Sequence, residues 1–167
     1  EFIPVMILCI TPTPAIDHTL TVPRFKSGEV MRATHTRLTA GGKGVNVARA
    51  IRTLGGQAFC LGFLGGHSGE LLAKLAEQEG LHGEWTWIKG DTRTCIIVVS
   101  GDTEEATVIN EEGPAVTGAD WDAFNTAVFR APDTKLVCFS GSLPVGSPIE
   151  KWKEMLLFLR SAGRDVW

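Results

Sequence analysis

The sequence has 167 residues, of which 44% are hydrophobic and 21% charged, and its 16 basic and 19 acidic side chains give a formal net charge of −3. This composition is typical of one folded domain and excludes a disordered chain. The mild acidity argues against nucleic acid or an anionic membrane as a partner, because both attract clustered basic residues. The composition is compatible with a small anionic ligand held in a local basic pocket.

The sequence predicts a cytoplasmic protein. Its amino terminus lacks the basic flank and the small-residue cleavage site of a signal peptide, and no apolar run is long enough to cross a bilayer. The histidines are scattered, so none is assigned to a metal. The cysteines form no Cys-x-x-Cys pair, and each lies within an apolar run, which predicts reduced core residues: Cys9, Cys60, Cys95 and Cys138.

Two kinds of strand are predicted. Apolar runs at residues 5–10 and 135–139 are typical of strands covered on both faces. Alternating residues over 17–25 and 30–38 predict an antiparallel pair with one wet face, joined by a turn at Ser27-Gly28. Further strands are predicted at residues 57–64, 84–88, 94–100 and 106–110, the last two as a hairpin.

Four helices are predicted between these strands. The first follows a glycine-rich segment, and the spacing of its apolar residues turns Arg49 and Arg52 outward. The second and third cover about residues 70–78 and 117–129. The last begins at Ser147-Pro148-Ile149-Glu150, which provides an N-cap, a proline at the first helical position and a capping-box glutamate.

The sequence is predicted to be the front part of a longer protein. After a turn at Gly163, the next strand of the alternation has scarcely started at Trp167. We therefore expect an uncovered sheet edge beside residues 135–139. We also expect incomplete cover for apolar side chains of the last helix, namely Trp152, Met155, Leu156 and Leu159.

The glycine-rich segment at residues 40–48, Ala-Gly-Gly-Lys-Gly-Val-Asn-Val-Ala, joins a strand to a helix. Glycines let the backbone N–H groups approach a ligand, and the helix directs its positive dipole end to the same place, which suits an anion or a polyol. It is not a Walker A loop, because glycine follows Lys43 where Ser or Thr is needed, and Val47 rules out G-x-G-x-x-G. A tight helix entry without a ligand is the alternative.

Asp17 and Arg93 add a carboxylate and a guanidinium. Asp17 follows the first strand, at the end where open α/β sheets bind ligands, and its carboxylate can accept hydrogen bonds from two sugar hydroxyls. Arg93 begins a predicted strand, and its forked guanidinium suits a phosphate monoester. The alternatives are a turn-stabilising aspartate and an exposed charge at a sheet edge.

Residues 41–65, with the spacing of Gly42, Gly44, Asn46 and the later glycines, resemble the first motif of the PfkB-type carbohydrate kinases, which have the ribokinase-like fold. Pro-Ala-Ile-Asp at 14–17, Thr92-Arg93 and Ser-Gly-Ser-Leu-Pro at 140–144 resemble the phosphosugar branch of that family. This branch includes 1-phosphofructokinase, 6-phosphofructokinase-2 and tagatose-6-phosphate kinase. The similarity covers almost all of the sequence but only the N-terminal half of a family chain. The expected fold is therefore α/β and ribokinase-like, with a mostly parallel sheet flanked by helices and a small β-sheet lid.

The resemblance implies a role for each matching residue. The sugar would be held by Asp17, Gly42 and Asn46, and the phosphate already on the substrate by Lys43 and Arg93, with Ser142 lining the same pocket. The strands at about 17–38 and 94–110 would form the lid, which closes over the sugar and supplies a homodimer contact.

The implied activity is ATP- and Mg²⁺-dependent phosphorylation of a hexose phosphate, such as fructose 1-phosphate or a related ketohexose phosphate, to the bisphosphate. Two departures from the family pattern stand out. Thr13 replaces an asparagine, which bears on sugar preference, and no Gly-Ala-Gly-Asp motif supplies the catalytic base, so the chain is not expected to be active alone. The alternatives are a non-catalytic sugar-phosphate sensor and a kinase for an unsubstituted sugar or a nucleoside.

Overall fold

The computed structural model describes residues 6–167, which fold into nine strands and four helices. In chain order they are β1 Met6–Thr11, β2 Ala15–Val22, β3 His35–Gly41, α1 Lys43–Thr53, β4 Gln57–Leu64, α2 Gly66–Gln78, β5 His82–Trp87, β6 Thr94–Ser100, β7 Ala106–Asn110, α3 Gly118–Arg130, β8 Leu136–Phe139, α4 Ile149–Ser161 and β9 Asp165–Val166. Val5, the first residue of the predicted opening strand, lies outside the described residues.

The large sheet has the strand order β5-β4-β1-β8-β9, and all of its pairs are parallel. One face packs on α1 and α2 through side chains such as Val45 and Leu72, and the other packs on α3 and α4 through Phe124 and Trp152. Strands covered on both faces must be apolar throughout, which explains the sequence of β1. The predicted α/β architecture is confirmed. None of the described helices is long and apolar enough to cross a membrane.

The four cysteines lie in strands, as predicted, and are free thiols. Cys60 of β4, Cys9 of β1 and Cys138 of β8 are neighbours in the strand register, and Cys95 lies in β6. All but the half-buried Cys138 are buried. Burial raises the pKa of the Cys9 and Cys60 thiols to about 12, so both stay protonated.

The small sheet has the order β3-β2-β6-β7, with β2 antiparallel to β3, β6 antiparallel to β7, and β2 parallel to β6. The predicted antiparallel pair is present, and so is the predicted turn at Ser27-Gly28, where the Glu29 N–H donates to the Lys26 carbonyl oxygen at 3.4 Å. The two strands stop farther from this turn than predicted, so that residues 23–34 form an irregular connection. Pro23 has no N–H to donate to a strand ladder, and Val30 is 95% exposed, so its side chain gains little by pairing.

The start of α4 differs from the prediction. Its N-cap is Pro148, and no side chain caps the helix. The hydroxyl of Ser147 instead accepts a hydrogen bond from the indole Nε1 of Trp152 at 3.0 Å. A capping box is found at α3, where Thr117 and Asp120 hold each other's backbone N–H groups.

The expected exposure around α4 is also wrong for three of its four residues. Trp152, Met155 and Leu159 are at most 5% exposed, and Leu156 is half-buried. Aromatic side chains of α3 cover this region, and the Trp121 ring centroid lies 4.5 Å from that of Trp152. In addition, β9 pairs with β8, so β8 is not an uncovered edge.

Candidate substrate-binding cleft

The predicted site residues lie where the order of the large sheet reverses. From β1 the chain builds β4 and β5 on one side and then β8 and β9 on the other. The loops that follow the carboxyl ends of β1 and β8 therefore border a crevice, which is where open α/β sheets bind ligands. Asp17 stands shortly after the first of these strands and Ser142 after the second. We call this region the cleft.

Asp17 lies in β2, opposite Thr39 of β3, and its side chain is half-buried. A Cβ atom at Gly41 would lie 2.4 Å from a carboxylate oxygen of Asp17, so glycine is what leaves this carboxylate its space. Burial raises the pKa of the Asp17 carboxyl, and the positive charges of Arg49 and Arg93 oppose that rise. Both guanidinium groups are therefore close enough to act on Asp17.

Gly42 and Lys43 form the entry of α1. Gly42 is the N-cap, with φ of 107°, and a Cβ atom there would lie 2.8 Å from the Thr11 methyl group. Only glycine fits both the conformation and the space. Because no side chain caps α1 and its first turn has no acidic residue, the first N–H groups are free to meet an anion. Lys43, the first helical residue, is exposed.

Thr13 joins three parts of the cleft. Its hydroxyl donates to the carbonyl oxygen of Ser142 at 2.9 Å and lies 2.8 Å from the Ser142 hydroxyl. Its carbonyl oxygen accepts a hydrogen bond from Nη2 of Arg93 at 3.2 Å. The loops after β1 and β8 are thus tied to the start of β6. Replacement of the family's asparagine by threonine keeps a side chain that can make this connection.

Two cations at the cleft have no acidic partner. Within residues 6–167, neither Arg93 nor Lys43 forms an ion pair with a carboxylate. The buried Nε of Arg93 also has no hydrogen-bond partner among the described residues. A buried guanidinium nitrogen without a partner is costly, so an acceptor supplied by a ligand would stabilise it.

Asn46 and Arg49 lie one turn into α1. Arg49 donates through Nη1 to Oδ1 of Asn46 at 2.5 Å. It also forms an ion pair with Glu79, and its side chain is only 33% exposed. The prediction that Arg49 turns outward is therefore wrong. The apolar spacing of α1 placed it away from the sheet, but the end of α2 packs beside this side of the helix.

Three residues that the sequence did not indicate as part of the site align with Asp17 across the strands of the small sheet. The register puts Thr39 of β3 and Cys95 of β6 beside Asp17, and Asn110 of β7 beside Cys95. Side chains in one row of a sheet lie on the same face, so these three face the same side as the Asp17 carboxylate. Alternation within each strand was visible in the sequence, but the register between strands was not.

The sequence pattern of the pfkB family of carbohydrate kinases matches residues 6–167, and the chain belongs to that family. Its predicted resemblance to the family is therefore confirmed. It is 38% identical over 143 residues to the 1-phosphofructokinase of Haloferax volcanii, covering 84% of this chain and 46% of the relative. It is 30% identical over 150 residues to the 1-phosphofructokinase of Bacillus subtilis, covering 90% and 48% respectively.

Among solved structures, phosphofructokinase-2 from Escherichia coli in complex with fructose-6-phosphate superimposes with a TM-score of 0.89 at 27% identity. The match covers 99% of this chain and 54% of that chain. It confirms the predicted ribokinase-like α/β fold. The chain spans about half the length of the relatives it matches.

Proposed function

We propose that this chain supplies the sugar-phosphate-binding half of an ATP-dependent phosphotransferase. The substrate is a hexose phosphate, fructose 1-phosphate or a related ketohexose phosphate, and the product is the bisphosphate. The carrying observation is a half-buried carboxylate, Asp17, close to a guanidinium, Arg93, that forms no ion pair in the described residues and whose buried Nε has no hydrogen-bond partner there. A carboxylate suits sugar hydroxyls, and a guanidinium that is not neutralised by a carboxylate suits a phosphate. Two relatives bear the name 1-phosphofructokinase, which supports this substrate class.

In this proposal the sugar lies between the small sheet and the entry of α1. Asp17 accepts hydrogen bonds from two hydroxyls, and Gly42 and Asn46 meet the sugar from the helix side. Arg93 and Lys43 hold the phosphate that the substrate already carries, and Ser142 closes the pocket from the loop after β8. The result is a fixed orientation of the hydroxyl that receives the new phosphoryl group.

The small sheet acts as a lid in this proposal. Its Asp17 face carries the residues Thr39, Cys95 and Asn110 toward the substrate. Closing such a lid excludes water, which would otherwise compete as the acceptor of the phosphoryl group.

We assign neither ATP nor Mg²⁺ to residues of this chain. Within residues 6–167 no group of three His, Cys, Asp or Glu side chains could hold a metal ion. The sequence also contains no Gly-Ala-Gly-Asp motif, the place of the catalytic aspartate in the family. In the proposal the nucleotide, its metal ion and the general base are held by the part of the family's length that this chain does not span.

We also propose a homodimer contact on the small sheet. On the face opposite Asp17, one row contains Leu38, His18, Ile96 and Ile109. Leu38 is 40% exposed and Ile109 56% exposed, so the apolar side chains at the two ends of this row lie open to solvent. Sedimentation of the wild type and of Ile109→Glu measures the oligomeric state and tests this contact. If Ile109 lies in the dimer interface, the glutamate would be buried without a partner and the dimer should dissociate. If Ile109 lies outside the interface, the dimer should persist.

The test is a kinase assay on the full-length protein that contains this chain. The assay contains ATP and Mg²⁺, and the acceptor is fructose 1-phosphate, fructose 6-phosphate or fructose. Arg93→Ala is expected to raise the KM for the phosphorylated acceptor about 10-fold to 100-fold, because charge-assisted hydrogen bonds to the phosphate are lost. The matched control is Arg130→Ala, which removes an exposed arginine of α3 that pairs with Glu84. This control should leave KM unchanged.

Two results would contradict the proposal. An unchanged KM for the phosphorylated sugar in Arg93→Ala would remove the phosphate-binding role. Binding of the sugar phosphate with no ADP formed by the full gene product would instead favour a non-catalytic sensor, which calorimetric titration without ATP would reveal.

A further inference from the structure

Arg49 contacts three separate parts of the cleft's supporting structure. Its Nη1 donates to Oδ1 of Asn46, on the same helix, and its Nη2 donates to the carbonyl oxygen of Ala40 in β3. The same guanidinium pairs with Glu79 at the end of α2, with Nη2 lying 3.1 Å from Oε1. One side chain therefore joins α1, α2 and the strand that precedes Gly41.

The bond to Asn46 fixes the direction of its amide group. A guanidinium has only donors, so the amide must present its oxygen to Arg49. The amide nitrogen, with two donors, is then directed away from Arg49. Because Asn46 is exposed at the entry of α1, that nitrogen is available to a ligand. Without Arg49, the amide could rotate and present either group.

The bond to Ala40 acts on the glycine turn. Ala40 is buried and immediately precedes Gly41, whose missing side chain leaves space for the Asp17 carboxylate. Holding the Ala40 carbonyl oxygen therefore holds the backbone next to Asp17. Glu79 is 26% exposed and engages two nitrogens of the guanidinium, so Arg49 cannot leave this position without losing an ion pair from another helix.

We propose that Arg49 is a positioning residue for substrate binding. It keeps the Asn46 amide oriented as a donor toward an acceptor oxygen of the substrate, and it fixes the Ala40–Gly42 turn beside Asp17, while Glu79 holds Arg49 in place. The proposal rests on the proposed function for the identity of the substrate, a sugar phosphate, but the orientation of Asn46 is a property of the ligand-free protein.

A double-mutant cycle on the longest gene product tests the proposal. Arg49→Met is expected to raise the KM for fructose 1-phosphate about tenfold or more, with a smaller change in kcat. The reason is that the Asn46 amide loses the contact that directs its N–H groups toward the substrate. In an Asn46→Ala background the part of this effect that is exerted through Asn46 should disappear, while the part exerted through the Ala40–Gly42 turn remains, so the two substitutions should be less than additive. Fully additive effects of the two substitutions would overturn the proposal.

The control lies on the same helix. Arg52 is an arginine of α1 that donates to the carbonyl oxygen of Gly80 at 3.0 Å and does not touch Asn46. Arg52→Met removes the same kind of bond between α1 and the end of α2, so its KM should stay at the wild-type value. A rise in KM equal to that of Arg49→Met would show that any loosening of α1 has the same effect, which would contradict a specific role.

A second variant separates geometry from charge. Arg49→Lys keeps the positive charge near Asp17 but cannot contact Asn46, Ala40 and Glu79 together. KM should therefore stay raised, whereas the pH dependence of binding should resemble the wild type. Arg49, Arg93 and the Cys95 thiol are the groups that act on or lie beside Asp17. Full recovery of KM by lysine would overturn the orienting role.

A measurement without substrate keeps the two proposals apart. In the NMR spectrum of the ligand-free protein, the side-chain amide signals of Asn46 should differ from those of a free amide. They should move toward free values in Arg49→Met and stay in place in Arg52→Met. If the wild type neither binds nor phosphorylates fructose 1-phosphate, the proposed function is wrong, and this spectrum still decides on Arg49. Unchanged Asn46 signals in Arg49→Met would overturn the positioning role.

Discussion

The large and the small sheet differ in how much of their surface they bury. Leu8, Cys9 and Ile10 in the central strand of the large sheet are fully buried, whereas every residue of β7 in the small sheet is exposed. Since burial of apolar area is the main source of stability, the large sheet holds the fold together. The small sheet contributes few core residues and is free to carry recognition groups.

The cleft combines the two sheets. Asp17 belongs to the small sheet, whereas Ser142 comes from a loop of the large sheet. Thr13 bridges Ser142 to Arg93, and Arg49 bridges Asn46 to Ala40. The proposed binding site thus lies at a junction between a buried layer and an exposed one, and substitutions in each part should have different consequences.

The largest expected effect is a difference in stability between the two sheets. Leu61→Ala removes a fully buried side chain of β4 and should lower the free energy of unfolding by about 2–5 kcal/mol, because it leaves a cavity. Val108→Ala in β7, where the side chain is 51% exposed, should change it by no more than about 0.5 kcal/mol. Urea unfolding of both variants measures the difference, and equal losses would contradict the assignment of stability to the large sheet.

A smaller effect is expected where α1 meets β1. A Cβ atom at Gly44 would lie 2.3 Å from the Thr11 hydroxyl oxygen and 2.8 Å from the Ile10 carbonyl oxygen. Gly44→Ala should therefore lower the free energy of unfolding by about 1–3 kcal/mol, because the helix must move away from the strand. Gly118→Ala, in the first turn of α3 with nothing within 4 Å, is the control. A neutral Gly44→Ala would show that this contact is not tight.

The smallest effect concerns Asp17 and pH. Burial raises the pKa of its carboxyl, so ionisation costs the folded protein more than the unfolded chain. The stability associated with the protonated group is present below the ordinary pKa and is lost as the pH rises through the raised one. Asp17→Asn should therefore increase the free energy of unfolding at neutral pH, and this gain should vanish below the ordinary pKa.

Urea unfolding at neutral pH and at a pH below the ordinary aspartate pKa measures the gain in the free energy of unfolding. Asp122→Asn is the matched control, because that side chain is 79% exposed. A gain for Asp17→Asn that persists in acid would contradict the burial of this carboxylate. A gain at neutral pH together with weaker substrate binding would indicate that the small sheet keeps a destabilising group for its function.

The sequence was most informative where the chemistry is local. Apolar runs located the strands of the large sheet, and the bounds of β6 and β7 were predicted to the residue. The glycine-rich entry of α1 was visible because only glycine adopts the φ of Gly42 at no steric cost. The position and chemistry of Asp17 and Arg93 singled them out, and the family resemblance then implied a role for each. The structure brings the two near one another, because the N–H of Ile16 donates to the carbonyl oxygen of Arg93.

Contacts between distant segments could not be read from the sequence. The cover of Trp152 by Trp121 depends on the angle between α3 and α4, and the row of Asp17, Cys95 and Asn110 depends on strand register. The ion pair between Arg49 and Glu79 joins residues thirty positions apart in the sequence. Helical periodicity shows which side of α1 faces the sheet, but not which other helix lies beside its polar side.

The most direct test of the cleft is a calorimetric titration of fructose 1-phosphate into the longest gene product and into its Asp17→Asn variant, with fructose as the comparison ligand. We expect the wild type to bind the phosphorylated sugar more tightly than fructose. We expect Asp17→Asn to weaken that binding about 100-fold, because the charged acceptor for the sugar hydroxyls is lost. Equal affinities of the wild type and Asp17→Asn for fructose 1-phosphate would contradict the assignment of this cleft as the sugar-phosphate site.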